Sequence, residues 1–281
     1  MIKVIASGFY SSIHDLGRHG FQHYGVPISG SLDYYSSALA NSIIGNSKEV
    51  AVLEITMTGP TLQFLCDTII CISGADISPR INNLPIKLNQ AISIKKNDML
   101  SFGRLMYGFR AYLAVKNGFQ EESVMKSKSM YKGITTYNTL VNKQELSIND
   151  HSSKNESNTS IKINDYHFTT KTLEVYKGPE FHQLSEKQQN ILLNLFYTVS
   201  KNHSRMAYQL EETLENTIKP IITSLVMPGT VQLTLSGKLI VLMRDCQTTG
   251  GYPRVLQLSE QAIAVLAQKH TGNQIKFRLT D

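Results

Sequence analysis

The chain lacks the features that mark several large classes of protein. No run of about 18 consecutive apolar residues occurs in its 281 residues, so no membrane-spanning helix is expected. The opening MIKVIASGFYSSIHD has neither the basic flank nor the long apolar stretch of a secretory leader, and the expectation is a cytoplasmic protein. Cysteine is scarce: Cys66, Cys71 and Cys246 are odd in number and show no CxxC spacing, which argues against a disulfide framework or zinc ribbon and for buried free thiols. There is no GxxxxGK[ST] motif and no GxGxxG between a strand and a helix, so a self-contained Walker or Rossmann nucleotide site is disfavoured; GxSxG hydrolase spacing is missing too. The net charge of +6 comes mostly from scattered lysine, with no arginine-rich run and no aromatic-basic motif. Nucleic acid is therefore not expected as a partner, whereas an anionic small molecule or an acidic protein fits the charge.

What is present is a succession of short β-branched runs between turn residues: TLQFL, TIICIS, AISI, AYLAV, TLEVY, VQLTL, LIVLM and IKFRL. They predict a mainly β chain, with hairpins at Asn82-Asn83 and Ser236-Gly237. Three stretches read as helices: SLDYYSSALANSIIGN, ending at Gly45; LSEKQQNILLNLFYTVS, with Ser185 and Gln188 in capping-box spacing; and SEQAIAVLAQKHTGN, opening at Ser259 and closing near Gly272. A few helices beside many strands point to barrels with peripheral helices. The polar stretch before Tyr166 suggests two domains, 1–145 and 166–281, joined by a linker or long solvated loop over 146–165.

Two constellations carry chemistry. In HDLGRHGFQHYGVPISGSLD, Asp15 is an acceptor, Arg18 a rigid fork for a carboxylate or phosphate, and Ser29-Gly30-Ser31 leads into a helix whose free N–H groups form an anion site. Asp15 and Arg18 serve equally well as a brace for the turn. His14, His19 and His23 lie close in sequence, but nothing makes them converge, and no metal site is expected. In MRDCQTTGGYPRV, Asp245, Gln247, Thr248 and Thr249 follow a buried-looking strand, and Gly250-Gly251 permits a tight turn; SRMAYQLEE adds Arg205 and Glu211. A satisfied turn at a strand end is the competing reading.

At these residues the chain resembles the KipA family, also described as allophanate hydrolase subunit 2-like or as the C subunit of 5-oxoprolinase, related to the carboxyltransferase part of urea carboxylase. The stretches that carry the resemblance are DLGRHGFQHYGVPISGSLDYYSSALANSIIGN, AVLEITMTGPTLQF, GFRAYLAVKNGF and RDCQTTGGYPRV, within a similarity running from Ile2 to Phe277. It implies two cyclophilin-like β-barrel domains. It also implies ATP-dependent opening of 5-oxo-L-proline to L-glutamate, in a complex with a KipI-like chain and a LamB/YcsF-like chain. Phosphorylating an unreactive lactam at its carbonyl oxygen would create a group that water can displace.

Carried over residue by residue, the resemblance implies catalytic roles for Asp15, Arg18, Asp245, Gln247 and Thr248, and substrate or nucleotide binding by Ser29, Gly30, Arg110, Arg205, Thr249, Gly250, Gly251 and Tyr252. Asp33, Glu54, Tyr112 and Gln232 also match the family pattern. Departures occur at Asn117, at the segment MKSKSMYKG, and at Ala207, Gln209 and Glu212. Two alternatives stay open: a regulatory protein that sequesters a KipI-like kinase inhibitor, and a component of a biotin-dependent carboxyltransferase or an allophanate-hydrolase-related enzyme. No AMKM-like attachment motif is present, so biotin would have to arrive on another chain.

Overall fold

A computed structural model of the chain describes residues 1–151 and 166–280. Two compact units are formed: Met1–Arg18 with Ser29–Asp165, and His19–Ile28 with Tyr166–Asp281. The segment His19–Ile28 thus groups with the second unit, although it lies within the stretch 1–145 expected to form the first domain. Of the expected linker, 152–165 lies outside the described residues. Its beginning is built into the first unit. Leu146 completes the strand Glu145–Leu146 against Ile2–Ala6, Ile148 bridges Phe119, and both side chains are buried. The cause is the alternation in ELSIND, which turns two apolar residues to one side.

The first unit is two antiparallel sheets around one core. One sheet orders the strands Glu145–Leu146, Ile2–Ala6, Thr61–Phe64, Met99–Ser101, Arg80–Ile81 and Leu84–Pro85; the other orders Tyr10–His14, Val52–Thr56, Tyr107–Val115, Thr68–Asp76 and Ile92–Ile94. Between them pack Ile2, Val4, Leu62, Phe64 and Leu100 with Ile13, Leu53, Ile55, Ile72, Ala111 and Leu113. The side-chain period of two then fixes the other face of the second sheet: Ser12, Glu54, Tyr112 and Ser73 are successive register partners across four strands. That face is covered by the helix Tyr34–Ile43, whose Ala40 and Ile43 pack on Val52, Cys71 and Ala114. The hairpin at Asn82-Asn83 forms as expected, with both asparagines at positive φ (49° and 69°), the conformation a two-residue reverse turn requires.

The second unit is a closed seven-stranded barrel, ordered Thr172–Lys177, Arg254–Leu258, Thr230–Leu233, Lys238–Leu242, Ala207–Thr213, Tyr197–His203 and Gln274–Leu279. Parallel pairing of the first and last of these closes the ring. Val175, Leu256, Val231, Val241, Tyr208 and Phe277 are fully or almost fully buried, and burial of each such side chain contributes roughly 1.5–3 kcal/mol. The chain is therefore mainly β with peripheral helices; the closed ring is a property of the second unit, while the strands of the first divide between two sheets. The helix Glu186–Asn194 starts in a complete capping box of Ser185 and Gln188. It stops before Leu195 and Phe196, because the strand Tyr197–His203 claims the chain immediately afterwards. The helix Glu260–Ala267 is capped by Ser259 and ends short of Gly272.

Candidate functional site

The N-terminal constellation folds around Asp15. Its Oδ1 accepts hydrogen bonds from Gly17 N at 2.8 Å, Ser127 Oγ at 2.6 Å and Ser129 Oγ at 2.7 Å, and its Oδ2 accepts one from Lys128 N at 2.6 Å. Arg18 is fully buried, and its Nη2 donates to the carbonyl of Ser129. Both residues thus hold the segment Ser127–Ser129, which sequence reasoning did not single out as functional. It lies within MKSKSMYKG, one of the stretches that departs from the family pattern, and the alternating serines of SKS were the only available signal.

The expected anion site at the helix start is not free. Asp33 caps the helix Tyr34–Ile43, accepting from Ser36 N at 3.0 Å and Ser36 Oγ at 2.6 Å, so a carboxylate already stands at the helix start and takes one of the N–H groups that an anion would need. Ser29 and Ser31 are buried just before it, and their hydroxyls have no hydrogen-bond partner among the described residues. Gly30 between them has φ +88°, and a Cβ there would lie 2.8 Å from the carbonyl carbon and oxygen of Leu16. Only glycine fits.

Arg110 belongs to a buried network on the polar face of the five-stranded sheet. Its Nε lies 3.6 Å from Glu54 Oε1, while Glu54 Oε2 accepts from Tyr112 Oη at 2.9 Å and from Leu32 N at 2.8 Å. Tyr112 Oη in turn accepts from Asp33 N at 2.8 Å. Burial, followed by the negative charges of Glu54 and Asp33, pushes the Tyr112 hydroxyl well above its ordinary range, so it remains a donor. The network ties the start of the helix to the sheet beneath it.

In the second unit Arg205 and Asp245 form a bidentate pair: Nε to Oδ2 at 2.9 Å and Nη2 to Oδ1 at 3.1 Å, with side chains 6% and 12% exposed. Asp245 N also donates to the carbonyl of Arg205. Cys246, next in sequence, is buried, and desolvation pushes its thiol up to about 12. By contrast, the side chains of Gln247, Thr248 and Thr249 make no hydrogen bonds among the described residues, and Tyr252 is partly exposed, which leaves these groups able to bind a ligand. Thr249–Gly250 pairs with Ser224–Leu225 in a two-stranded ladder. Gly250 is therefore part of a strand pairing, and Gly251 beside it accepts a hydrogen bond from Ile221 N, so neither lies in an open loop.

A further pair was missed. Arg254 donates to Glu180 through its backbone N, Nε and Nη2 at 2.8–3.0 Å, and those hydrogen bonds hold the Glu180 carboxyl below its usual range. No local signal connects residues so far apart in the chain.

Comparison with known proteins places these residues in a wider group. The description of a carboxyltransferase domain, subdomain A and B, matches residues 24–279. The C subunit of 5-oxoprolinase from Escherichia coli is 30% identical over 281 residues, covering 99% of this chain and 90% of that protein. The urea amidolyase of Lachancea kluyveri is 38% identical over 130 residues, 46% of this chain and 7% of that protein. Among solved structures, Kluyveromyces lactis urea amidolyase superposes with TM-score 0.87 at 26% identity, covering 98% of this chain and 18% of that one. The TTHA0988 protein superposes with TM-score 0.89 at 23% identity and shares the fold; this chain spans 56% of its length.

Proposed function

Since the chain belongs to the carboxyltransferase subdomain A and B family, we propose that it is the C subunit of a 5-oxoprolinase, a complex that opens 5-oxo-L-proline to L-glutamate with consumption of ATP. The observation that carries the reading is the likeness to the E. coli protein, which extends over nearly the whole of both chains. Its partners in this reading are a KipI-like chain and a LamB/YcsF-like chain, in the cytoplasm.

The residues suggest a division of roles. Asp15 and Arg18 hold the loop Ser127–Ser129 in place. Arg205 fixes the Asp245 carboxylate, and Gln247, Thr248 and Thr249 offer polar groups to the substrate. A triphosphate is disfavoured at the helix start after Ser31, because the Asp33 carboxylate caps it through Ser36 N and would repel a second anion. The reading accordingly assigns ATP to a partner chain.

The test is glutamate formation from 5-oxoproline and ATP by the chain mixed with its two candidate partners. Activity that needs all three chains, and falls at least tenfold in a Gln247→Ala, Thr248→Ala double variant, supports the reading; no glutamate from any combination refutes it. The likeness to urea amidolyase favours a second reading, carboxyl transfer from a biotin carried on another chain. Dependence of turnover on a biotinylated protein and bicarbonate would select it.

A further inference from the structure

The barrel of the second unit carries a glutamine in an unusual position. Val231 and Leu233 turn inward and are buried, so Gln232 between them faces outward, in register with Ile240 on one side and Arg254 on the other. Outward-facing glutamines are ordinarily solvated. Gln232 is only 2% exposed, and its Nε2 is buried without a hydrogen-bond partner among the described residues. Gly250 covers it: a Cβ at that position would lie 2.5 Å from Gln232 Nε2. Buried side-chain donors are nearly always paired, and leaving one unpaired is costly, so this one calls for an acceptor.

The cover is lightly held. The segment Ile221–Val226 lies along Thr248–Gly251, joined by the two-residue ladder and by hydrogen bonds from Ile221 N to Gly251 O (3.0 Å) and from Val226 N to Thr248 O (3.1 Å). Ile221 and Val226 at its ends are half-buried, but two of its large side chains do not anchor it: Ile222 is 102% and Leu225 75% exposed. Lifting the segment would therefore bring little of their apolar surface into water. Its carbonyl at Leu225 accepts a hydrogen bond from Arg254 Nη1 at 3.0 Å, the one terminal nitrogen of that guanidinium not engaged by Glu180.

We propose that Gln232 Nε2 and Arg254 Nη1, register partners on one face of the barrel, form a covered binding site for the carbonyl oxygen of a small amide or lactam, with Ile221–Val226 as the strap that lifts to admit it. A carbonyl already occupies part of the site, supplied by Leu225. The Arg254 charge is balanced by Glu180, so a neutral acyl oxygen is preferred over a phosphate, which would face the Glu180 carboxylate. The choice of a five-membered lactam rests on the 5-oxoprolinase reading; the donor pair itself does not.

The chain contains no tryptophan, so Ile222→Trp places a single reporter on the strap. Titration of that variant with 2-pyrrolidinone, a neutral lactam, is expected to give a saturable change in emission. 5-Oxoproline should do the same, and L-proline, which lacks the lactam carbonyl, should not. Adding Gln232→Met removes the unpaired donor at similar volume: thermal stability should hold or rise while lactam affinity falls about tenfold or more. No saturable response to either lactam overturns the proposal, as does equal affinity in the Gln232→Met variant, or a response to L-proline matching that to pyrrolidinone. The two readings fail separately. Pyrrolidinone binding without glutamate formation keeps the site and refutes the 5-oxoprolinase assignment, and glutamate formation without a lactam response in this chain does the reverse.

Discussion

Removing one member of the Arg205–Asp245 pair should destabilise the barrel out of proportion to an ordinary surface ion pair. The side chains of Arg205 and Asp245 are only 6% and 12% exposed, and each guanidinium–carboxylate contact is a direct hydrogen bond of 2.9 or 3.1 Å. Breaking a buried pair from one side leaves the other charge desolvated and uncompensated, at a typical cost of about 3–5 kcal/mol. The slight exposure of Asp245 puts Asp245→Ala near the lower end, about 3 kcal/mol. Asp245→Asn, which keeps the shape and one acceptor, should lose about 2 kcal/mol. Replacing both residues, as in Arg205→Met with Asp245→Leu, should cost clearly less than the sum of the single changes, with a coupling of about 2 kcal/mol. Urea unfolding followed by circular dichroism reads this directly: with a slope of about 1–3 kcal/mol per molar urea, Asp245→Ala shifts the midpoint by about 1–3 M. Single variants that lose less than about 1 kcal/mol, or losses that add within about 0.5 kcal/mol, would refute the reasoning. An Asp245→Asn chain of unchanged stability but abolished turnover would place the carboxylate in the chemistry and not in the scaffold.

Two further outcomes follow from burial and charge. Desolvation holds the thiols of Cys71 and Cys246 at about 12, so at pH 8 a disulfide reagent should label Cys66 alone among the three cysteines, the other two reacting only after denaturation. Lys269 is buried, with its Nζ on the carbonyl of Phe168, and burial, aided by Lys171, lowers it from 10.5 to about 8. Between those values the unfolded chain binds more protons than the folded one, so this lysine makes stability rise from about pH 8 to about pH 10.5 and lowers it as pH falls through 8. In Lys269→Met that component of the slope should vanish; an unchanged slope would show that the lysine is effectively solvated.

Local chemistry in the chain was enough to announce the strands, the Asn82-Asn83 hairpin and the Ser185 and Ser259 caps, because each depends on residues within a few positions of one another. The motifs around Asp15 and Asp245 were visible for the same reason. Their partners were not. Asp15 finds Ser127 and Ser129 more than a hundred residues away, where Met130 N donates to the Ile13 carbonyl, and Asp245 finds Arg205 only because the barrel brings the two segments together. The helix start after Ser31 reads as an anion site from its serines and glycine, but Asp33 fills it, and only the capping geometry decides that. Gln232 is the clearest case. Alternation along VQLTL places it outside the barrel, as the pattern of side chains requires, yet its burial beneath Gly250 arises from the strand pairing of Thr249–Gly250 with Ser224–Leu225. Residue type and spacing fix which groups are available; long-range register fixes which of them are already satisfied and which remain to meet a ligand.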